Sequence, residues 1–445
     1  MIAGRRLQKG TWLEGWAPNE DTFWQERGRW TAWWTLSITT TALTLSHGTW
    51  FVMSALVVLL PGAGFDLTTE QLFWLAAVPG ISAGTLRMVH TFLVPTFGTR
   101  SVVSVSSLIL LIPLLGLTFA VQNPDTPYLA FLLLAFMAGT GGGNFSSFMP
   151  STSLFFPKRL QGTALGIQAG IANLGVSLVQ FLTPWIVGFA AFGALGGAAQ
   201  SLGGADPPWL QNATLVWVPP VAVVAALAWV GLRSVPAGAR LGEQLGVLTE
   251  KHCWVMTSLY FMTFGSFAGF SASLPLLIRD LYGSFDNAPD PLSYAFLGPL
   301  MGSVARVASG GIADRFGGAR ITQIAAIGLV ASVVWLLFLM EPTSSDSFRW
   351  FLTAMLALFV FSGMGNASIY KQIPSIFPPA ASSVVLGWTA AVAAYGPFAF
   401  AAAIGTVTAL SGHPRGFFVG LTGFYLANLG LNWWYYDRKG GERPC

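Results

Sequence analysis

The sequence predicts an all-α membrane protein of twelve transmembrane helices in two pseudo-symmetric six-helix bundles, and three observations carry that prediction. Its 445 residues are 53% hydrophobic and 9% charged, with a mean hydropathy of +0.62, values outside the soluble range. Apolar stretches recur from Thr31 to Tyr436, each of roughly 18–28 residues, enough at about 1.5 Å per residue to cross about 30 Å of hydrocarbon. The second half of the chain also echoes the first, as in transporters built from repeated bundles.

Taken in order, residues 1–30 are polar and charged and lack the short apolar core of a signal peptide, so they read as a cytoplasmic segment. The spans then fall at 31–60, 71–97, 101–122, 127–150, 161–190 and 212–233. The polar stretch 234–252 reads as a cytoplasmic linker, and six further spans follow at 253–279, 291–313, 319–340, 348–376, 382–410 and 415–436. Residues 437–445 form a tail. The two bundles are thus 31–233 and 253–436. With the termini inside, sixteen Lys and Arg lie on the cytoplasmic side and only Arg279, Arg349 and Arg415 on the other, as the bias of basic residues toward cytoplasmic loops requires. Both termini are expected to be cytoplasmic, in a multi-pass protein of the cytoplasmic (inner) membrane.

The repeat is specific. Arg87 precedes Gly98 by eleven residues, and Arg306 precedes Gly317 by eleven. Phe156-Pro157 matches Phe377-Pro378, and Gly166 with Gly175 matches Gly387 with Gly396, all at a shift of 221. After the eighth span the sequence reads GGIADRFGGAR, with Gly310, Asp314, Arg315 and Gly317. It resembles the cytoplasmic loop signature of the major facilitator superfamily; the first-half counterpart keeps Phe97, Gly98 and Arg100 but has Pro95 in place of the acid. The resemblance implies a central cavity that opens alternately to each side.

The remaining cations, Arg87, Arg306 and Lys371, lie within spans, whereas all eighteen Asp and Glu fall in loops, termini or span ends. Ionisable groups inside a membrane are costly and mark function by default. Each arginine sits eight residues before its loop motif, about 12 Å into the helix, too deep to snorkel readily. With no buried carboxylate expected beside them, an anion is the simplest completion of the site. A guanidinium fork makes paired hydrogen bonds to a planar oxyanion and stays charged when buried. Span 5 adds glycines at Gly166, Gly170 and Gly175, a smooth face for close packing, with the amide of Asn173 among them.

These residues resemble the nitrate/nitrite porter family, the NarK-like proteins of that superfamily. The match runs through PNEDTFWQERG, GTLRMVHTFLVPTFG, NFSSFMPSTSLFFPKRLQGTALGIQAGIANLGVS, LYFMTFGSFAGFSA and FLGPLMGSVARVASGGIADRFGG. It implies that Arg87 and Arg306 grip the substrate from opposite halves, that Phe145 and Phe264 hold its flat faces, and that Tyr260 and Asn173 complete the pocket. The glycine faces of spans 5 and 11 would be packing and gating surfaces; span 11 departs from the pattern with Ala391 where span 5 has Gly170, and with Tyr395 and Pro397. Lys371 resembles the branch associated with proton-coupled uptake. For a symporter it is the first candidate proton carrier, with His47 and His90 behind it; an exchanger needs none.

Two cysteines, Cys253 and Cys445, and four histidines without paired spacing argue against a disulfide framework, a metal site or haem. No cofactor or enzymatic role is expected. Expected partners are nitrate or nitrite, membrane lipid and, for symport, protons, with no nucleic acid and a monomeric carrier. A carrier for another small inorganic anion and an anion channel are the rival readings.

Overall fold

The computed structural model describes residues 11–200, 208–236 and 246–445. The basic residues Arg5, Arg6, Lys9 and Arg240, counted above for orientation, lie outside the described residues, as does the middle of the expected linker. The described residues form twelve long helical rods and no strand. In the first half these are α1 (Arg29–Leu56), α2 (Thr69–His90), α3 (Leu93–Ala120), α4 (Tyr128–Phe155), α5 (Lys158–Ile186) and α6 (Asn212–Gly231). In the second they are α7 (Lys251–Tyr282), α8 (Leu297–Phe316, led in by Pro291–Ala295), α9 (Gly318–Leu337), α10 (Phe348–Ile376), α11 (Ala381–Ser411) and α12 (Arg415–Asn432). Nine of the twelve are apolar enough by length and composition alone to cross a membrane.

Local chemistry sets the boundaries. Thr68 and Gln71 form a reciprocal capping box at the start of α2, and Asp290 caps the turn leading into α8. The repeated Phe-Pro pairs end α4 and α10: Pro157 and Pro378 are extended and open α5 and α11. Gly98 and Gly317 take φ of 77° and 93°, which only glycine adopts cheaply. Two boundaries therefore differ from expectation. The second span ends at His90, not 97, and the loop signature is mostly helical, since Gly310 to Phe316 continue α8 and only Gly317 breaks it. That stretch holds no proline, and Gly310 and Gly311 keep negative φ, so the first break in the backbone hydrogen-bond ladder comes at Gly317.

The halves meet along two seams. On the first, α5 packs on α8 and the neighbouring α7: Ser177 Oγ donates to the Phe296 carbonyl (2.8 Å), Gln180 Nε2 donates to the Ser271 carbonyl (2.7 Å), and a Cβ on Gly170 would run into Val307. On the second, α2 packs on α11, with Gly80 against Phe398, Gly84 under the Tyr395 ring, and the hydroxyls of Thr85 and Tyr395 2.8 Å apart. Toward the face that carries both chain ends the seams part. A Cβ on Gly162, Gly166, Gly310, Gly311 or Gly387 would meet nothing, and a cleft of about 340 Å³ opens there between Met88, Thr91 and Phe92, Pro150, and Gly387 and Trp388. At the far face a separate cleft of about 350 Å³ lies between Thr69, Leu72 and Phe73 of α2 and Leu276, Arg279 and Asp280 of α7. The seams are thus packed at mid-depth and part toward the face of the termini.

Each end of the chain clasps one half at that open face. Leu13 N donates to the Ser234 carbonyl and Ser234 N to the Thr11 carbonyl, both 2.8 Å, while Ser234 Oγ accepts from Arg100 N beside Gly98. Leu13, Trp24 and Val235 bury themselves with Phe155 and Phe156. At the other end Ala319 N donates to the Cys445 carbonyl, Arg443 Nη1 to the Ile376 carbonyl, and Glu442 pairs with Lys251 at 2.6 Å.

Candidate substrate site

Arg87 and Arg306 lie where the two seams part, and α2 and α8 bring them there from opposite halves. Arg87 is completely buried. The helical glycine run Thr140–Gly143 within α4 lets α2 approach, because a Cβ on Gly143 would strike Leu86. Arg87 Nε then donates to the Gly142 carbonyl at 2.9 Å, and its Nη1 crosses the interface to the Ala390 carbonyl of α11 at 2.7 Å. Its Nη2 has no partner. The guanidinium carbon stands 4.7 Å from the ring centre of Phe145, 5.2 Å from Phe264 and 5.5 Å from Trp50, within cation–π range.

Arg306 is also buried, 5.3 Å from the Tyr370 ring centre, and its Nη1 is unpartnered. A series of rings joins the two arginines. Phe264, under Arg87, stacks on Tyr260 at 5.5 Å with planes 3° apart, Tyr260 meets Tyr370 at 5.3 Å, and Tyr370 underlies Arg306. Phe264 is carried by a π-turn, Phe261–Gly265, inside α7; such turns shift the helical register and gather at functional sites. Asn173 Nδ2 and His47 Nε2 are buried without partners, the histidine holding the Ala172 carbonyl through Nδ1 at 3.0 Å. With Nδ1 donating to that carbonyl, His47 Nε2 is an acceptor; the unbonded donors are those of Arg87, Arg306 and Asn173. Buried donors left unbonded cost about 1–3 kcal/mol each, so the two guanidinium groups joined by rings suit a ligand rich in acceptors.

The expected residues separate into groups. Arg87, Phe145, Tyr260, Phe264 and Arg306 are linked by direct ring contacts, and Asn173 lies one turn from Gly170 at the seam. Of the glycines, only Gly170 touches the opposite half; Gly166 and Gly387 are open, Gly175 packs against α1 at the Thr44 carbonyl, and Gly396 against α7 at the Gly265 carbonyl. His90 is occupied with Ser147 Oγ at 2.9 Å. Lys371 differs from expectation: an acid does accompany it. Its Nζ lies 2.8 Å from Asp314 of the α8 signature, with the two side chains 48% and 65% exposed, because both helices reach the open face at the same level. A Cβ on Gly310 would meet nothing, and Arg315 lies over the Phe316 ring. Sequence reasoning missed Trp50 and Tyr370.

Comparison with known proteins places the chain in a family. The family model described as Major Facilitator Superfamily matches residues 39–400. A probable nitrate/nitrite antiporter, NarK2 of Thermus thermophilus, is 59% identical over 98% of this chain and 99% of its own length. The nitrate/nitrite transporter NarU of Salmonella typhimurium is 38% identical over 96% of each chain. Among solved structures, a bacterial homologue of the human lysosomal transporter Spinster, inward-facing and occupied, superposes with a TM-score of 0.67 at 14% identity, covering 91% of this chain and 96% of that one. The xylose transporter XylE of E. coli, inward open, gives 0.66 at 15% identity, covering 90% and 95%. These relatives and structural neighbours are membrane transporters, and the chain itself, with its twelve helices in two related halves around a pair of repeat-matched arginines, belongs to the nitrate/nitrite porter family of the major facilitator superfamily.

Proposed function

We propose that this protein is a secondary carrier, not an enzyme, that exchanges nitrate and nitrite across the cytoplasmic membrane by alternating access. The observation that carries the reading is the arginine pair: two buried guanidinium groups, one from each half, each with a free N–H, joined by ring faces and accompanied by no carboxylate among the described residues nearby. In this reading the planar anion lies between the forks, with Phe145 and Phe264 against its faces and Tyr260 and Asn173 at its rim. Charge and paired hydrogen bonds come from the arginines, while the rings favour a weakly hydrated flat ion.

The empty carrier is held from closing around its site by repulsion between the two cations. A bound monoanion reduces that repulsion, so the loaded carrier reorients and the empty one does not. Exchange follows without a titrating group. The halves 31–233 and 253–436 move as bodies, both termini are cytoplasmic, and the open face is the inward one. Lys371 then serves a contact at the inner face with Asp314 instead of carrying a proton. One chain holds the whole pathway and works as a monomer in lipid.

The test is radiolabelled nitrate uptake into proteoliposomes loaded with nitrite or left empty, with and without a pH gradient. Exchange requires uptake only with internal nitrite or nitrate. Uptake driven by the gradient into empty vesicles would establish symport in its place, and unsaturable flux without trans-stimulation would establish a channel. Transport of another small anion in preference to both would overturn the substrate assignment.

A further inference from the structure

Asn366 in α10 is completely buried, and neither its Nδ2 nor its Oδ1 has a hydrogen-bond partner. An amide so placed loses solvation twice over and gains nothing back in the empty protein. An asparagine of the first half behaves otherwise. Asn144 follows a glycine in α4, as Asn366 follows Gly365 in α10, and donates through Nδ2 to Ser46 Oγ of α1 at 2.8 Å. Near the corresponding place in α7 stands Ser266, whose hydroxyl is already engaged with Tyr425 Oη of α12 at 2.6 Å. One half thus holds a bonded, structural asparagine after its glycine and the other an unbonded one.

The neighbours of Asn366 place it at the site. Gly363, a turn earlier on α10, packs on the Gly302 carbonyl of α8, and Gly365 packs on Thr263 of the α7 π-turn. Tyr370, four residues later and so on the same helical face, touches both Tyr260 and Arg306. Asn366 therefore lies one turn along from Tyr370, level with Arg306, whose Nη1 is likewise unpartnered.

We propose that Asn366 is a further substrate-binding residue, donating through Nδ2 to an oxygen of the bound planar oxyanion while its Oδ1 accepts from the free Nη1–H of Arg306. The inference rests on the anion-carrier reading above. Nitrate and nitrite only accept hydrogen bonds, so they satisfy the donor side of the amide and not the carbonyl side. A guanidinium satisfies the other. An amide suits this position because it adds a donor without a third positive charge, leaving the filled site with one net cation.

The experiment compares wild type, Asn366→Leu and Asn366→Asp in nitrate exchange and in thermal melting with and without nitrate. Leucine matches the amide in size and removes both unsatisfied atoms, so its empty form is expected to melt at or above the wild-type temperature, with KM for nitrate raised about five- to tenfold. Aspartate turns the donor into a negative charge and is expected to abolish exchange and stabilisation by nitrate. A wild-type KM in Asn366→Leu overturns the proposal. So does a fall of several degrees in its empty melting temperature, which would mark a structural asparagine like Asn144. If wild-type protein itself neither exchanges nitrate nor is stabilised by it, the substrate reading fails first and the proposal with it.

Discussion

The two halves carry the same arginine and use it differently. Arg87 is fixed by two backbone carbonyls, one of them on the opposite half, and enclosed by Trp50, Phe145 and Phe264. Arg306 rests on the single ring of Tyr370 with an unbonded Nη1. The clasps at the chain ends show a parallel contrast. The first half is gripped by backbone hydrogen bonds over a buried apolar cluster, the second largely by charged side chains of residues 442 and 443. The difference teaches that a sequence repeat conserves the positions of functional groups but not their anchorage. One arginine is part of the scaffold, and the other is free to follow the ligand.

The largest expected effect comes from converting either arginine to lysine. Arg87→Lys and Arg306→Lys should each reduce nitrate exchange at least a hundredfold, since an ammonium cannot form the paired contact. Stability should separate them. Arg87→Lys gives up charge-assisted bonds to Gly142 and Ala390, worth roughly 1.5–3 kcal/mol each, and should melt clearly below wild type, whereas Arg306→Lys should melt close to it. Equal melting temperatures would refute the contrast between anchored and free.

Next in size is the effect of filling the open parts of the seams. Gly166 and Gly387 face empty space in this state, so Gly166→Leu and Gly387→Leu should fold normally and keep a normal melting temperature. They should nonetheless cut exchange about tenfold or more, because the same faces must meet when the carrier turns outward. Gly84→Leu is the opposite case: its side chain would strike the Tyr395 ring in the present state, so the seam already closed should loosen and the protein melt lower. A transport-competent Gly387→Leu would show that α11 does not close at this level.

Lys371→Gln should matter less. The pair with Asp314 is about half exposed, and such pairs contribute roughly 0–1 kcal/mol. Exchange by the variant should stay within about threefold of wild type, and Asp314→Asn should give the same result. Loss of transport in Lys371→Gln with normal folding would restore lysine to the coupling role.

Most of the helices were legible because each had to satisfy its backbone inside a bilayer, and nine of the twelve show it by length and apolar composition alone, whereas α1, α8 and α12 do not. The two arginines were legible because buried charge is rare in such helices. The series of rings was not. Tyr260 and Phe264 are one turn apart on α7, but Tyr370 and Arg306 come from two other helices, and no local spacing records their meeting with that pair. Tyr370 was overshadowed by its neighbour Lys371, although adjacent residues in a helix point about 100° apart. Glycine spacing announced close packing but could not say against what: Gly170 touches the other half, while Gly175 and Gly396 pack within their own. The partner of Lys371 was hidden for the same reason, since Asp314 lies on a different helix and only the fold brings the two together.

The smallest expected effect tests the contrast between the clasps. Glu442 is held below the usual carboxylate range by its hydrogen bonds to Lys251 and then His252. A carboxyl whose folded value is depressed adds stability that is present above its unfolded value, about 4.3, and is lost as pH falls through the lower folded one. The C-terminal clasp should therefore stay closed at neutral pH and loosen only in strong acid. Amide exchange in residues 438–445 should accelerate in that acid range, and Glu442→Gln should show the faster exchange already at pH 7. The N-terminal clasp at Thr11, Leu13 and Ser234 rests on backbone bonds that do not titrate, so its exchange, corrected for intrinsic rates, should not change across the same interval. If both clasps loosen together, the acid response belongs to the whole open face, and the charged character of the second clasp does not set it apart.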